Sequence, residues 1–364
     1  MSCIKVLSLS GSAYEIGKQH GKWAKEEVAY SLDSYEKLFW YERNLSWEQA
    51  VELAKQHINT IEEVNSELLE EMEGVADGAS VRFEDILTLN ARSEIALTGN
   101  KFDGCTSVSV MPPLSDKAYL AQTWDWRPSQ TRSLIALKIN HKDTKINMIT
   151  EGGIIGKIGC NHHGLGVCLN ALRTDIKSHT LPVHLGLREV LNSTDIEEAK
   201  HKVKDGKIAS SVNMLMAQHQ FNAPQALNIE LSPIHSDERE TKSNYLYHTN
   251  HFCSHIMRQK IKENNVRVAK NSVIRKERMK ELIMTSIHSK KTIDKHVIRQ
   301  WLSDHDNEPF SICRHEDRQT SKYVDTITVF AVIMNLTDKT MKLLEGQPCN
   351  PIKEYHFTFE REEK

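Results

Sequence analysis

The stretch Asp103-Gly104-Cys105-Thr106-Ser107-Val108-Ser109-Val110 decides how this chain is organised. Before it, apolar residues recur every three or four positions, which predicts helices. From Cys105 onward polar and apolar residues alternate, which predicts a strand. Pro112-Pro113 and Ser115-Asp116 then predict a turn, and Ala118 to Trp124 runs back as the second strand of a hairpin. The change of period marks a boundary between a helical segment and a strand-rich segment.

The composition is typical of a globular protein with a large core. The chain has 364 residues, of which 39% are hydrophobic and 26% charged. Its formal net charge of −2 provides no overall attraction to nucleic acid or to an anionic membrane. The opening residues predict a strand rather than a signal peptide, and the apolar run Thr326 to Met334 is shorter than the roughly 20 residues of a membrane-spanning helix. We therefore expect a cytoplasmic protein with no membrane or nucleic-acid partner.

Seven cysteines are scattered along the chain without a paired spacing, which favours free thiols in a reducing compartment. Cys105 differs from the others because it directly follows Gly104. If that peptide bond were cut, the freed α-amine, with an ordinary pKa of about 7.7 to 8.0, could accept the thiol proton. Glycine would leave the preceding carbonyl open to the sulfur during an N-to-S acyl shift. On spacing alone, a small buried cysteine is the more frequent interpretation.

The remaining pattern predicts runs of helices and runs of strands rather than strict alternation. Helices are predicted from Tyr14 to Leu38, from Trp47 to Gly78 behind a capping box at Ser46, and over Phe83 to Asn90. Further predicted strands are Leu134 to Ile139, Lys145 to Thr150, Gly166 to Leu169, Asn213 to Gln218, Ala226 to Leu231, Tyr245 to His248, Thr326 to Met334, Met341 to Leu344 and Tyr355 to Phe359. Further helices are predicted after Leu181, from Ser193 or Thr194, over Glu263 to Ser286 and over Thr292 to Leu302. This order predicts an α+β fold with two sheets between helical layers.

Several segments together resemble the penicillin acyltransferase family, the acyl-coenzyme A:6-aminopenicillanate (isopenicillin N) acyltransferases. They are Tyr14-Glu-Ile-Gly, His20-Gly, Asp103 to Ser107, Trp124-Asp125-Trp126, Thr150 to Leu172, His248 to His251 and Pro309 to Arg314. The resemblance implies a choloylglycine-hydrolase-like amino-terminal nucleophile (Ntn) hydrolase. Its fold would be a four-layer αββα sandwich of two stacked, mainly antiparallel sheets with a helical amino-terminal segment. Residues 1–104 would then be the pro-segment and residues 105–364 the catalytic part of one compact domain.

The resemblance also implies roles for particular residues. Cys105 matches the nucleophile, and the Gly104–Cys105 bond matches the self-cleavage site. Asp125 matches the acid that contacts the new α-amine, and Asn250 an amide that would donate to the oxyanion. Arg314 matches a guanidinium that would favour the thiolate or an anionic substrate group. Taken singly, Asp125, Asn250 and Arg314 are better explained as a strand-end acid, a turn residue and a structural ion pair.

The substrate pocket is expected to include Trp124, Trp126, Glu151 and Gly152. Thr123 departs from the penicillin acyltransferase, which has asparagine before Trp-Asp, and Cys160, His162 and His163 stand where that enzyme has smaller or apolar residues. Both departures weaken the inference that penicillin is the substrate, and an N-acyl amino acid, an acylated amine and a β-lactam side chain stay open. The glycines between Thr150 and Leu172 fit neither a Walker loop nor a dinucleotide fingerprint, and tight hairpin turns are the better interpretation.

Two further patterns in the sequence resemble binding sites. The closest grouping of potential metal ligands, Cys160, His162, His163 and Cys168, matches no standard zinc spacing, so no metal is expected. Met257 to Lys291 holds eleven Lys or Arg residues against three Glu. That stretch is interpreted as a solvated helix face or, alternatively, as a surface that attracts an anionic acyl donor such as coenzyme A.

The sequence therefore predicts a self-processing cysteine enzyme that cleaves a small linear amide or transfers its acyl group through an acyl-Cys105 thioester. The partners would be a small-molecule amide or acyl donor, and residues 1–104 and 105–364 would stay associated. No cofactor is expected beyond coenzyme A as part of an acyl donor, and a homo-oligomer is compatible with the sequence. The alternatives are an acyl-coenzyme A-dependent acyltransferase and a non-catalytic binding protein on the same scaffold.

Overall fold

The computed structural model describes residues 3–96, 104–220, 223–240, 243–262, 266–290, 292–316 and 326–359. The strands are β1 Lys5–Ser10, β2 Gly104–Val110, β3 Tyr119–Trp126, β4 Leu134–His141, β5 Thr144–Glu151, β6 Ile158–Asn161, β7 Leu165–Ala171, β8 Val212–Gln220, β9 Ala223–Leu231, β10 Ser236–Glu240, β11 Tyr245–His248, β12 Ile327–Asn335, β13 Thr340–Glu345 and β14 Lys353–Thr358. The α-helices are α1 Ala13–Trp23, α2 Lys25–Arg43, α3 Trp47–Lys55, α4 Ile58–Asn65, α5 Glu67–Ala79, α6 Phe83–Asn90, α7 Arg92–Ala96, α8 Val183–Leu191, α9 Ile196–Val203, α10 His255–Lys260, α11 Val266–His288 and α12 Lys295–Leu302.

The strands form two sheets that face each other. In the described residues one sheet has the order β1-β4-β5-β6-β7-β8-β9-β10 and the other the order β11-β2-β3-β12-β13-β14. Neighbouring strands are antiparallel except for the parallel pair β1 and β4. Strands β2 and β3 pack on β7 and β8, while α8 and α9 cover the outside of the first sheet and α11 and α12 the outside of the second. The expected four-layer αββα sandwich is confirmed.

Most of the predicted elements are present, with some boundaries corrected. The hairpin is confirmed with Cys105 opposite Trp124, and the Ser46 capping box is formed. The helix predicted from Tyr14 breaks at Ala24, and the one predicted from Trp47 is three helices. The apolar stripe continues on one side across these breaks, so period alone does not reveal them. Strands β6 and β10 were missed, and positions 263–265 of the predicted helix lie outside the described residues.

The amino-terminal segment is built into the sandwich. Strand β1 pairs with β4, so it completes the sheet that the rest of the chain forms. Helices α1 and α5 approach so closely that a Cβ on Gly17 would lie 1.9 Å from the Glu71 carbonyl oxygen, and one on Gly21 would lie 2.1 Å from that of Val75. These two contacts explain the glycines of the Tyr14-Glu-Ile-Gly and His20-Gly motifs. In the part of the chain that is described, no helix has the length and apolar character needed to cross a membrane.

Candidate active site

Cys105 lies at the start of β2, between the two sheets, and is only 4% exposed. Its backbone N–H donates to Asn250 Oδ1 at 2.8 Å. Its carbonyl accepts from Arg275 Nη1 at 2.7 Å and from Asn170 Nδ2 at 3.2 Å. The backbone of the predicted nucleophile is therefore held by side chains from the facing sheet, from the turn after β11 and from α11.

Gly104 lies directly against Asp125 and Arg314. Its strand partner is Asp125, whose Oδ1 accepts from Thr328 Oγ1 at 2.7 Å and whose Oδ2 is 3.6 Å from Arg314 Nε. Arg314 Nη1 also donates to Thr326 Oγ1 at 2.6 Å. The structure thus brings an acid and a guanidinium to the Gly104 side of the Gly104–Cys105 bond.

The glycine itself is required by this packing. A Cβ on residue 104 would lie 2.6 Å from Asp125 Oδ2 and 3.3 Å from the guanidinium carbon of Arg314. For the chain cleavage that the sequence predicts, we therefore expect Gly104→Ala to displace the peptide and to lower the rate by roughly 10²-fold, measured on denaturing gels during cell-free synthesis. Ser109→Ala on the same strand is the control and should cleave at the wild-type rate. Normal cleavage in Gly104→Ala would show that this contact does not matter.

Asn250 contacts the nucleophile differently from the sequence-based expectation. Its side-chain NH₂ donates to the Ala171 carbonyl at 3.2 Å, and its oxygen faces the Cys105 N–H. Its backbone N–H donates to Ser272 Oγ at 2.5 Å. Glu230 fixes the same turn, because its Oε1 pairs with His248 Nε2 at 2.9 Å and accepts from the Cys253 N–H at 2.7 Å. In this geometry Asn250 positions the Cys105 nitrogen, and its NH₂ is engaged elsewhere.

Arg275 is a site residue that the sequence analysis missed. It lies within the basic stretch Met257 to Lys291, but it is 1% exposed rather than solvated. Besides the Cys105 carbonyl, it reaches Thr106 Oγ1 at 3.0 Å and Asn250 Oδ1 at 2.9 Å. The signal was available, because Arg275 is four residues before Met279 and eight before Ile283, both fully buried on the same helix face. A charged residue in such an apolar row indicates a buried polar partner.

For the same predicted chain cleavage, we expect Arg275→Lys to lower the rate by roughly 10²-fold. An ammonium cannot reproduce the fork that holds Cys105 and Asn250 together, and a small misplacement is costly at a reacting centre. The measurement is cleavage against time at several pH values, since a purely structural defect would not change the pH profile. Arg258→Lys, at an exposed arginine in α10, is the matched control. Equal rates in the two variants would remove Arg275 from the site.

A buried network of charges lies next to the tryptophans of β3. Glu151 accepts from Tyr35 Oη at 2.6 Å and from Arg92 Nη2 at 3.2 Å, and it forms an ion pair with Lys157. The Lys157 ammonium lies 3.4 Å from the centre of the Trp124 ring. All of these side chains are fully or nearly fully buried, so each charge depends on its partners.

The network shifts the pKa values of two buried groups near Cys105, Lys157 and Glu151. Burial lowers the pKa of Lys157 to about 7, and nearby Arg92 adds to the effect while Glu151 opposes it. A Cys105 thiolate would raise the pKa of Lys157, so the two groups interact electrostatically. Burial alone would raise the pKa of Glu151, but Arg92 and Lys157 hold it at about 2. Lys157 is thus a second cation near Cys105 that the sequence analysis did not select.

The four residues expected in the substrate pocket have packing roles in this structure. Trp124 and Trp126 stack with ring centres 5.6 Å apart and are 4% and 6% exposed. Glu151 belongs to the charge network, and a Cβ on Gly152 would lie 2.5 Å from the backbone of Val28. Contact of these residues with a substrate stays a prediction.

Cys253 is a thiol near the site with a lowered pKa. It borders a cavity of about 670 Å³ that Glu230, His248 and Lys276 also line. Burial alone would raise the pKa of the Cys253 thiol, but attraction to His248 lowers it to about 6. Reagents that label Cys105 are therefore expected to label Cys253 as well.

Comparison with known proteins gives the class of the molecule. The family model for acyl-coenzyme A:6-aminopenicillanic acid acyl-transferase matches residues 114–350. The acyl-coenzyme A:6-aminopenicillanic-acid-acyltransferase 40 kDa form of Emericella nidulans is 31% identical over 358 residues, which are 97% of this chain and 96% of that protein. These matches indicate an acyltransferase or an amide hydrolase. The chain belongs to the acyl-coenzyme A:6-aminopenicillanic acid acyltransferase family.

Solved structures similar to this chain include two amide-cleaving enzymes by name. The N-acylethanolamine-hydrolyzing acid amidase ortholog of Caenorhabditis elegans shares 15% identity with a TM-score of 0.45, over 64% of this chain and 93% of that one. Penicillin V acylase from Agrobacterium tumefaciens shares 10% identity with a TM-score of 0.44, over 70% and 86%. The assignment to the family rests on the two sequence matches.

Proposed function

We propose that this protein is a self-processing cysteine enzyme that acts on linear amides through an acyl-Cys105 thioester. The observation that carries the proposal is the convergence of Asp125, Asn250, Arg275 and Arg314 on the single peptide unit Gly104–Cys105. The start of a buried strand does not require an acid, an amide and two guanidinium groups around one glycine and one cysteine. A self-cleaving nucleophile requires such groups to position the peptide bond and to stabilise charge.

Activation begins with attack of Cys105 Sγ on the carbonyl carbon of Gly104. The carbon–nitrogen bond breaks, the thiol proton passes to the Cys105 nitrogen, and a thioester joins the two residues. Water then hydrolyses the thioester, which leaves a carboxylate on Gly104 and a free thiol and α-amine on Cys105. Asn250 and Arg275 hold the Cys105 backbone during these steps, and Asp125 lies on the side of the leaving glycine.

Amide cleavage uses the new α-amine as the base. It accepts the thiol proton, and the thiolate attacks the substrate carbonyl to form a tetrahedral intermediate. The intermediate expels the amine, which takes the proton, and leaves an acyl-Cys105 thioester. Asn250 Oδ1, already 2.8 Å from this nitrogen, stabilises the ammonium together with Asp125. Lys157 and Arg314 favour the thiolate.

The thioester can be resolved by water or by an amine acceptor. Hydrolysis of a small linear amide is our first proposal, since water is always available and the chain has no recognisable acceptor motif. Acyl transfer from a coenzyme A thioester is the alternative, and the name of the Emericella nidulans relative favours it. A non-catalytic scaffold is the third possibility, and the buried polar cluster around Cys105 argues against it.

Mass spectrometry of the purified protein with a panel of amides and acyl-coenzyme A thioesters tests the proposal. The protein should carry Cys253→Ser so that the thiol with the lowered pKa does not contribute adducts. We expect an acyl adduct on a peptide that begins with Cys105, and its release by water alone or only with an added amine separates hydrolysis from transfer. Adducts confined to other residues, or none with any donor, would contradict the proposal.

A further inference from the structure

A cluster of two cysteines and two histidines lies outside the site described above. His305, Cys313, His315 and Cys349 each offer one ligand atom, and the four atoms lie within 4.8 Å of one another. The group that the sequence analysis considered, Cys160, His162, His163 and Cys168, does not converge in this way among the described residues. Spacing in the sequence does not reveal the cluster of His305, Cys313, His315 and Cys349, because Cys349 is 34 residues after His315.

Four of the six distances between the ligand atoms are close to those of a tetrahedral zinc site. With Zn–S bonds of about 2.3 Å and Zn–N bonds of about 2.0 to 2.1 Å, tetrahedral geometry places two sulfurs about 3.8 Å apart, two nitrogens about 3.3 Å apart, and sulfur about 3.6 Å from nitrogen. The two sulfurs are 3.7 Å apart, and the two Nε2 atoms are 3.1 Å apart. His315 Nε2 is 3.7 Å from Cys313 Sγ and 3.4 Å from Cys349 Sγ.

The ligands come from three chain segments that are themselves fixed. His305 follows α12, Cys313 and His315 precede β12, and Cys349 follows β13. The Cys313 N–H donates to the Asp304 carbonyl at 3.0 Å, which ties the first two segments together.

We propose that His305, Cys313, His315 and Cys349 bind one Zn²⁺ ion as a structural site. Two thiolates and two neutral imidazoles are a donor set that zinc prefers, and the two thiols would release their protons on binding. The two thiolates neutralise the charge of the ion. This proposal departs from the expectation, drawn from the sequence, that the chain binds no metal.

The site has a consequence for the residue between two of its ligands. Arg314 lies between Cys313 and His315, and its Nε is 3.6 Å from Asp125. Its backbone N–H donates to Thr328 Oγ1 at 2.9 Å. Zinc would fix the segment on both sides of Arg314 and so hold the guanidinium beside the Gly104–Cys105 peptide. The four ligands would then be positioning residues for the reaction, without contact with substrate.

The test is metal analysis of the full chain, produced without a polyhistidine tag and passed through gel filtration with a weak chelator. We expect about one zinc per chain in the wild type, loss of that zinc in Cys349→Ser and in His305→Asn, and retention in Cys3→Ser, which alters the other exposed thiol. Both ligand variants change exposed side chains, so that failure of one to fold leaves the other for measurement.

Cobalt substitution and a thiol count distinguish the remaining interpretations. Bound Co²⁺ should give the visible bands of a tetrahedral ion with a thiolate charge-transfer band, and Cys349→Ser should abolish them. Absence of zinc after incubation with Zn²⁺, unchanged zinc in both Cys349→Ser and His305→Asn, or octahedral cobalt would each overturn the proposal. A mass loss of two hydrogens from a Cys313–Cys349 disulfide in reduced preparations would overturn it as well.

Discussion

Cys105→Ala is expected to remain a single chain of 364 residues and to lose amide turnover by at least about 10³-fold. In the proposed mechanism the single Cys105 sulfur attacks Gly104 during chain cleavage and later carries the acyl group. The substitution removes this atom. Loss of cleavage and loss of activity should therefore appear together. The measurements are a denaturing gel and turnover of the best amide or thioester found in the panel.

Two controls separate the nucleophile from other effects at the same position. Cys105→Ser keeps a weaker nucleophile with the same backbone contacts, so we expect slow cleavage rather than none. Cys253→Ser removes the nearby thiol with the lowered pKa and should cleave and turn over substrate as the wild type does. An active, uncleaved Cys105→Ala protein would contradict both roles of the residue.

Glu151→Gln is expected to lower the free energy of unfolding by about 3 to 5 kcal/mol at neutral pH. The amide keeps the shape of the side chain but leaves Arg92 and Lys157 buried without their carboxylate. Urea unfolding measures the change, and an unchanged slope would show that stability rather than compactness has altered. Glu151→Gln and its parent should both carry Cys105→Ala, so that each protein unfolds as one uncleaved chain.

The pH dependence of this effect follows from the direction of the pKa shift. The folded pKa of Glu151, about 2, is below its ordinary value of 4.5, so its contribution is fully present above pH 4.5. It is lost as the pH falls from 4.5 towards 2, and the variant and the parent should converge in that range. Glu52→Gln, in an exposed pair with Lys55, is the control and should leave stability unchanged. An equal effect at pH 7 and pH 3 would contradict the ionic explanation.

The sequence predicted the parts of the molecule that local pattern controls. Alternation after Cys105, followed by a proline turn, is sufficient to predict the hairpin. The register, with Trp124 opposite Cys105, comes from the structure. The family motifs brought Asp125, Asn250 and Arg314 into the same hypothesis, and the structure places all three within contact of Gly104 or Cys105. Their chemical roles stay predictions.

The residues that were missed are buried polar side chains whose contacts depend on how the elements pack together. In the sequence Arg275 is one of many positively charged residues in a basic helix, and the packing of α11 against β2 distinguishes it. Lys157 is a single lysine in an apolar run, next to Ile158. The orientation of the Asn250 amide depends on Ala171, 79 residues earlier in the chain. Tertiary packing decides each of these contacts. The spacing of Arg275 to Met279 and Ile283 indicates that Arg275 is buried, but it does not indicate which groups Arg275 contacts.

The intact mass and terminal sequence of the purified wild-type protein test the central claim most directly. We predict two chains, residues 1–104 and a chain that begins at Cys105. They should elute together because β1 pairs with β4 and Tyr35 is hydrogen-bonded to Glu151. A single uncut chain with full amide activity would contradict it.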